Sequence, residues 1–288
     1  LNIESEIRLT EFSHGTGCGC KIAPEVLKSI LEKIKKSVPD PNLLVGNTFN
    51  DDASAYKIND EFAILNTADF FMPVVNNPYD FGRIASANAL SDIFAMGGNP
   101  LTATAILGWP VEKINPEIAT QVLQGASDLC AEVNIQVSGG HSIDNPEPFF
   151  GLSVSGIIQI KHLKKNYGSG EKDLLFLTKP LGSGTLTTAL KKNILTNPEY
   201  SELLQVLVAL NFEGSWLGTK AYVTSMTDVT GFGLLGHLHE MISPDSLGAE
   251  LTLAQIPVLS SFNEYATRFI IPDNTFRNWN AVEPFVSG

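Results

Sequence analysis

The sequence predicts a layered α/β protein, with mixed sheets packed against helices in two domains, and three observations carry that expectation. A chain of 288 residues with 43% hydrophobic content is more than a single core usually organises. Apolar, β-rich runs alternate with helical periodicity through the first half in the order β-α-β-α-β-β. A polar stretch at 161–173, with Asn166, Gly168, Ser169 and Gly170, then interrupts the alternation before it resumes.

A glycine-rich arm comes first. Pro24 stands where a first helical position belongs, and Val26, Leu27, Ile30, Leu31 and Ile34 recur at helical spacing, so one amphipathic helix should follow the arm. Strands are expected at Phe62 to Phe71, Leu101 to Trp109, Ile135 to Val137 and Phe150 to Ile160, with helices at about Phe81 to Met96 and Pro116 to Val133. In the second half the pattern gives a strand at Leu174 to Thr178 and helices near Leu186 to Lys192 and Glu199 to Leu210. A strand at Ala221 to Met226, a helix at Leu234 to Ile242, a strand at Ala249 to Leu253 and a helix at Ser261 to Phe269 complete it. The expected division is therefore an arm with its helix at 1–48, a first domain at 49–160 and a second at 174–288.

Composition narrows the chemistry. Thirty-one acidic residues against 19 basic ones give a net charge of −12, which opposes non-specific binding to nucleic acid and to anionic membrane surfaces. An anionic substrate would need local cations, most simply a divalent metal. No run approaches the ~20 apolar residues of a membrane span, and the acidic start LNIESEIRL lacks the form of a signal peptide. Three cysteines, two of them almost adjacent, do not make a disulfide framework and fit a reducing, cytoplasmic compartment. The absence of an initial methionine leads us to expect a trimmed N-terminus.

The run His14-Gly15-Thr16-Gly17-Cys18-Gly19-Cys20-Lys21 sets two thiols and an ammonium on a segment able to close over a ligand. A neighbouring lysine can bring a thiol pKa from about 8.5 into a range of roughly 3.5–7.5, so either cysteine could be a thiolate at neutral pH. The run is not a Walker loop, because Cys20 precedes Lys21 and Ile22 follows it. A zinc site of His14, Cys18 and Cys20 is disfavoured by the one-residue cysteine spacing and by the remoteness of Cys130. A glycine-rich arm without chemistry is the plainer alternative.

Several aspartates have apolar or small neighbours: Asp69 in TADFFM, Asp92 in NALSDIF, Asp228 in MTDVTG, and Asp51-Asp52 ahead of ASAY. A carboxylate withdrawn from water is costly unless a cation or donors compensate it. Hard oxygen ligands from separate loops and strand ends suit magnesium, which in turn points to a nucleotide. Any one of these residues could instead cap a helix or turn, and for Asp51 and Asp144 the two readings are level. Two glycine clusters offer phosphate contacts. Ser138-Gly139-Gly140-His141-Ser142 should follow a short strand, with bare N–H groups able to cradle oxygens. Gly231-Phe232-Gly233-Leu234-Leu235-Gly236 satisfies G-x-G-x-x-G and should open a helix after a strand, although the acid expected ~20 residues beyond a dinucleotide-binding turn has no clear candidate in a strand-end context.

Over nearly its whole length the sequence resembles the selenophosphate synthetases, also called selenide, water dikinases. The resemblance rests on IRLTEFSHGTGCGCKIAPEVL at 7–27, DPNLLVGN at 40–47, DDASAY at 51–56 and TADFFMPVV at 67–75. It continues in DFGRIASANALSDIFAMGG at 80–98, ILGWP at 106–110, GGHSIDNPEP at 139–148, LTKPLGSG at 177–184 and MTDVTGFGLLGHL at 226–238. It implies a two-domain fold like aminoimidazole ribonucleotide synthetase, a homodimer formed through the N-terminal domains, and ATP bound at the interface beneath the arm. The implied reaction converts selenide, ATP and water to selenophosphate, AMP and phosphate, with a selenium-delivery protein as a further conceivable partner.

By motif position, the resemblance implies Cys18 as the cysteine-or-selenocysteine site and Lys21 as the essential lysine, both catalytic. It implies Asp52, Asp92 and Asp228 as magnesium ligands. Lys21, Phe49, Asn50, Asp51, Asp69, Asp92 and Gly140-His141-Ser142 would contact nucleotide. Phe49 and Asn50 depart from relatives, which often carry Thr and Arg there. Relatives also run past the position of Gly288, so an incomplete second domain is expected. Selenide is largely deprotonated near neutrality, so its attack on the γ-phosphoryl group reduces to positioning and charge neutralisation, with water attacking the retained ADP afterwards. Two rivals remain at this point: another ATP-dependent enzyme of the same fold, and a nucleotide- or selenium-binding protein without turnover.

Overall fold

In a computed structural model, residues 7–13, 26, 29–30, 33, 40–46 and 50–288 are described. The arm with Cys18, Cys20 and Lys21, most of the helix expected after it, and Phe49 lie outside these residues.

The first half is a six-stranded sheet backed by two helices. Its strands are β1 (Leu43–Val45), β2 (Ser54–Lys57), β3 (Phe62–Phe71), β4 (Asn99–Trp109), β5 (Val137–Asp144) and β6 (Phe149–Gln159), in the spatial order β1-β2-β3-β6-β4-β5. Among the described strands only β4 and β5 run parallel, and the helix between them supplies the crossover that parallel pairing requires. The long ladder of β3 on β6, from Phe62 opposite Gln159 to Phe71 opposite Phe150, forms the centre. Sequence periodicity missed β1 and β2, which are short and weakly patterned.

The two helices are α1 (Pro78–Ala95) and α2 (Pro116–Glu132), and local signals fix where each begins. Asn77 and Asn115 accept hydrogen bonds from backbone N–H groups of the first turn, and Pro78 and Pro116 follow where a missing N–H costs nothing. α1 is buried on nearly every side, because the sheet covers one flank and α2 and later helices cover the others. The two helices approach so closely that a Cβ on Gly82 would lie 1.9 Å from the Val122 carbonyl oxygen, and one on Gly125 would lie 2.0 Å from that of Tyr79. Phe81, Leu90 and Ile93 pack from α1 against Leu65 and Phe150 to Ile158 of the sheet. The opposite sheet face, with Tyr56, Asn66 and Phe70, is exposed.

The second half is helical: α3 (Ser183–Lys191), α4 (Asn197–Val208), α5 (Glu213–Gly218), α6 (Gly233–Ile242), α7 (Phe262–Thr267) and α8 (Thr275–Val282). The strands expected at 174–178, 221–226 and 249–253 are not formed among the described residues, where the only pairing of this half is an isolated bridge between Leu181 and Val258. The physical reason is that a strand depends on a partner for its N–H and C=O groups, and none is aligned beside these segments. Leu174, Phe176 and Tyr222 are consequently exposed. A small core of Leu186, Ala189, Leu203, Leu259 and Tyr265 holds the helices together. Among the described residues no helix is long and apolar enough to cross a membrane.

Candidate active site

Asp52, Asp92 and Asp228 converge. One carboxylate oxygen from each lies within 4.8 Å of the others, although the residues come from the turn before β2, from α1, and from an irregular loop of the second half. Two of the carboxylates are oriented by threonines of other elements. Thr227 donates its hydroxyl to Asp52 Oδ1 at 2.9 Å, and Thr67, on the helix-facing side of β3, donates to Asp92 Oδ2 at 2.5 Å. The second Asp52 oxygen, Oδ2, is sealed from solvent and accepts no hydrogen bond. Burial, and after it the charges of Asp228 and Asp92, push the Asp52 carboxyl well above its usual range, against the lowering effect of Thr227. A cation between the three carboxylates would relieve the repulsion and satisfy the orphaned oxygen. The oxygen-only donor set fits magnesium.

Asp69 and Asp51 flank this cluster on the chain. Asp69, buried on β3, accepts from Asn88 Nδ2 at 2.6 Å. Asn88 and Asp92 share one face of α1, being four residues apart. Asp51 accepts the Asn166 backbone N–H at 2.9 Å, and burial raises its pKa more than that bond and the Lys165 charge lower it. Lys179 is a nearby, partly buried cation. Its ammonium donates to the Ala209 carbonyl, and burial lowers its pKa while Asp228 and Glu213 act in the other direction.

Gly140, His141 and Ser142 do not join the carboxylates within the chain. The expectation of a loop after a short strand is corrected here: these residues are part of β5, paired with Ala105, Ile106 and Leu107. A Cβ on Gly140 would stand 2.4 Å from the Ala105 carbonyl oxygen, so the sheet itself requires this glycine. β5 lies at one edge of the sheet, three strand spacings from β3 and hence about 14 Å away. Its three residues are exposed there. The G-x-G-x-x-G run does open α6, but no strand precedes it. The loop between Asp228 and that helix is fixed otherwise. The Thr230 N–H donates to His237 Nε2 at 3.1 Å, leaving Nδ1 to carry the proton toward Glu240, and Asn274 and Asn278 both donate to the Gly231 carbonyl.

Sequence reasoning missed Thr67, Asn88, Thr227 and Asn166. A readable signal existed for three of them: Thr67 lies two residues before Asp69 on one strand face, Asn88 one helical turn before Asp92, and Thr227 beside Asp228.

Comparison with known proteins matches residues 50–158 to the AIR synthase related protein N-terminal domain and 170–272 to the corresponding C-terminal domain. A selenide, water dikinase of Photorhabdus laumondii is 48% identical over 279 residues, covering 97% of this chain and 80% of that protein. One from Escherichia coli K12 is 50% identical over 277 residues, with 96% and 80% covered. Among solved structures, thiamine-monophosphate kinase from Stenotrophomonas maltophilia aligns at a TM-score of 0.64 with 18% identity, covering 92% of this chain and 90% of that one. A ThiL structure complexed with AMPPCP and TMP aligns at 0.67 with 18% identity, over 85% and 76%. At such identities these structures speak for the fold alone.

Proposed function

Because the chain belongs to the selenide, water dikinase family, we propose that it makes selenophosphate from selenide, ATP and water and releases AMP and phosphate. The observation that carries this reading is identity of 48% and 50% with two such enzymes across 97% and 96% of the chain. The three converging carboxylates support it independently, since a polyphosphate substrate on a chain of net charge −12 calls for a bound cation.

Asp52, Asp92 and Asp228 would hold magnesium, which when bound supplies positive charge to the phosphates being transferred. The chain's own residues do the rest. Thr67 and Thr227 orient two of the carboxylates. Asp51 and Asp69, with Lys21, Phe49 and Asn50, contact the nucleotide. Lys21 adds positive charge at the triphosphate, and Cys18 on the glycine-rich arm handles selenium. Selenide needs little general-base help, so closure of the arm serves to exclude water during the first transfer and to retain ADP for the second.

The functional units are an arm at 1–48, a nucleotide-binding domain at 49–160 and a second domain at 174–288. The protein acts in the cytoplasm as a homodimer joined through its first domains. The uncovered sheet face, where the exposed Phe70 ring stands 5.4 Å from that of the half-buried Phe149, supports that association. The position of Gly140, His141 and Ser142 at the far sheet edge supports their contacting a nucleotide held by the partner copy.

Phosphorus NMR of the products tests the reading. With selenide present, wild-type protein is expected to yield selenophosphate, AMP and phosphate. Cys18→Ser is expected to yield no selenophosphate while still binding ATP, and Cys20→Ser to retain substantial turnover. Release of ADP as the end product, or equal turnover without selenide, would refute the assignment.

A further inference from the structure

The polar stretch between the two halves makes contact with all three segments that carry the converging carboxylates. The Lys164 backbone N–H donates to the Met96 carbonyl at 3.1 Å, at the end of the helix bearing Asp92. The Lys165 carbonyl accepts from the Met226 N–H at 3.0 Å, two residues before Asp228. Asn166 donates its backbone N–H to Asp51 Oδ1 at 2.9 Å and its side-chain amide to the Asn50 carbonyl at 3.1 Å, immediately ahead of Asp52. The Lys164 ammonium adds bonds to the carbonyls of Lys220 at 3.0 Å and Val223 at 2.7 Å, further fastening the loop that leads to Asp228.

We propose that residues 164–166 are a positioning strap for the three-carboxylate site, with Asn166 as its central residue. The strap sets the separation between the two carboxylates of the first half and the one of the second. Asn166 is 1% exposed, so its side chain is held in place by its surroundings and its amide is aimed at the Asn50 carbonyl. Asn50 has φ of 56°, in the left-handed region that non-glycine residues enter only when their surroundings hold them there. The Asn166 amide on the Asn50 carbonyl is such a restraint. Without it the turn can relax and carry Asp52 away from Asp92 and Asp228. Outer partners that orient metal ligands commonly account for 10–100-fold in metal affinity.

This inference rests on the reading of Asp52, Asp92 and Asp228 as metal ligands, and its test separates the two. Manganese binding to the full chain is followed by loss of the free-ion EPR signal, without turnover, in wild type, Asp52→Asn, Asn166→Ala, Asn166→Leu and Leu203→Ala. Asn166→Leu keeps the buried volume while removing the donor. Leu203→Ala damages the small core of the second half and reports what loss of stability alone does. The expected result is wild-type binding, loss in Asp52→Asn, weakening on the order of tenfold in both Asn166 variants, and no change in Leu203→Ala. Manganese binding that is absent in wild type, or undiminished in Asp52→Asn, overturns the ligand reading and the strap with it. Loss in Asp52→Asn beside wild-type affinity in the Asn166 variants, or equal weakening in Leu203→Ala, overturns the strap alone. Failure of both Asn166 variants to fold also overturns it, since Asn166 would then be a folding residue.

Discussion

The two halves of the molecule solve the burial problem unequally. In the first, a six-stranded sheet and two helices enclose one continuous core, and polar backbone groups are paired along the ladder from Phe62 to Phe71. In the second, five residues form the core, while Leu174 is 78% exposed, Phe176 86% and Tyr222 74%. Both halves nevertheless contribute to one carboxylate cluster. The difference teaches that the site depends on how the halves are joined as much as on how tightly each is packed.

The largest expected effect comes from the first core. Phe81 is fully buried, with its ring 6.0 Å from Phe71 and 6.3 Å from Phe150. Phe81→Ala should cost about 3–5 kcal/mol in a urea melt. Phe176→Ser, in an exposed segment, should stay within about 0.5 kcal/mol. Equal losses in the two variants would break the comparison. A smaller and more local effect is expected from Leu203→Ala. It should cost about 2–3 kcal/mol, with hydrogen exchange accelerating in α3 and α4 while β3 and β6 keep their protection. Uniform acceleration would mean that the halves unfold as one.

The smallest effect is a pH dependence confined to the second half. Glu199 accepts from the Thr196 N–H and hydroxyl and from the Tyr265 hydroxyl. Burial raises its pKa, but these bonds and one from Ser261 outweigh that and bring it from 4.5 down to about 2. A depressed folded-state value means that the unfolded chain binds the proton first. The stabilisation is therefore present above about pH 4.5 and is lost as the pH falls toward 2. Glu199→Gln should flatten the acid side of the stability profile for α4 and α7. An unchanged profile would show that the carboxylate is not the group responsible.

The same contrast explains what the sequence made legible. Helices satisfy their own hydrogen bonds, so periodicity and end signals were enough to place α1, α2, α3, α4 and α6, even where the surrounding core is thin. A strand needs a neighbour. The runs that became β3 and β6 found each other, whereas the equally apolar run at 174–178 found none. The site divided in a similar way. The apolar settings of Asp69 and Asp92 pointed to carboxylates that the fold does bury, and the three aspartates that the resemblance implies as magnesium ligands lie together. Asn166 was read only as part of a polar linker, because its importance lies in contacts with residues 50 and 51, more than a hundred positions away.

The central claim is that one cation site is assembled from both halves, and Asp228 tests it most directly, because it is the carboxylate that the second half supplies to the cluster. Calorimetric titration of Asp228→Asn with magnesium and a non-hydrolysable ATP analogue, beside a thermal melt, is the measurement. The account predicts at least a hundredfold loss of magnesium-dependent affinity with a melting profile close to wild type. Wild-type affinity in that variant would contradict it.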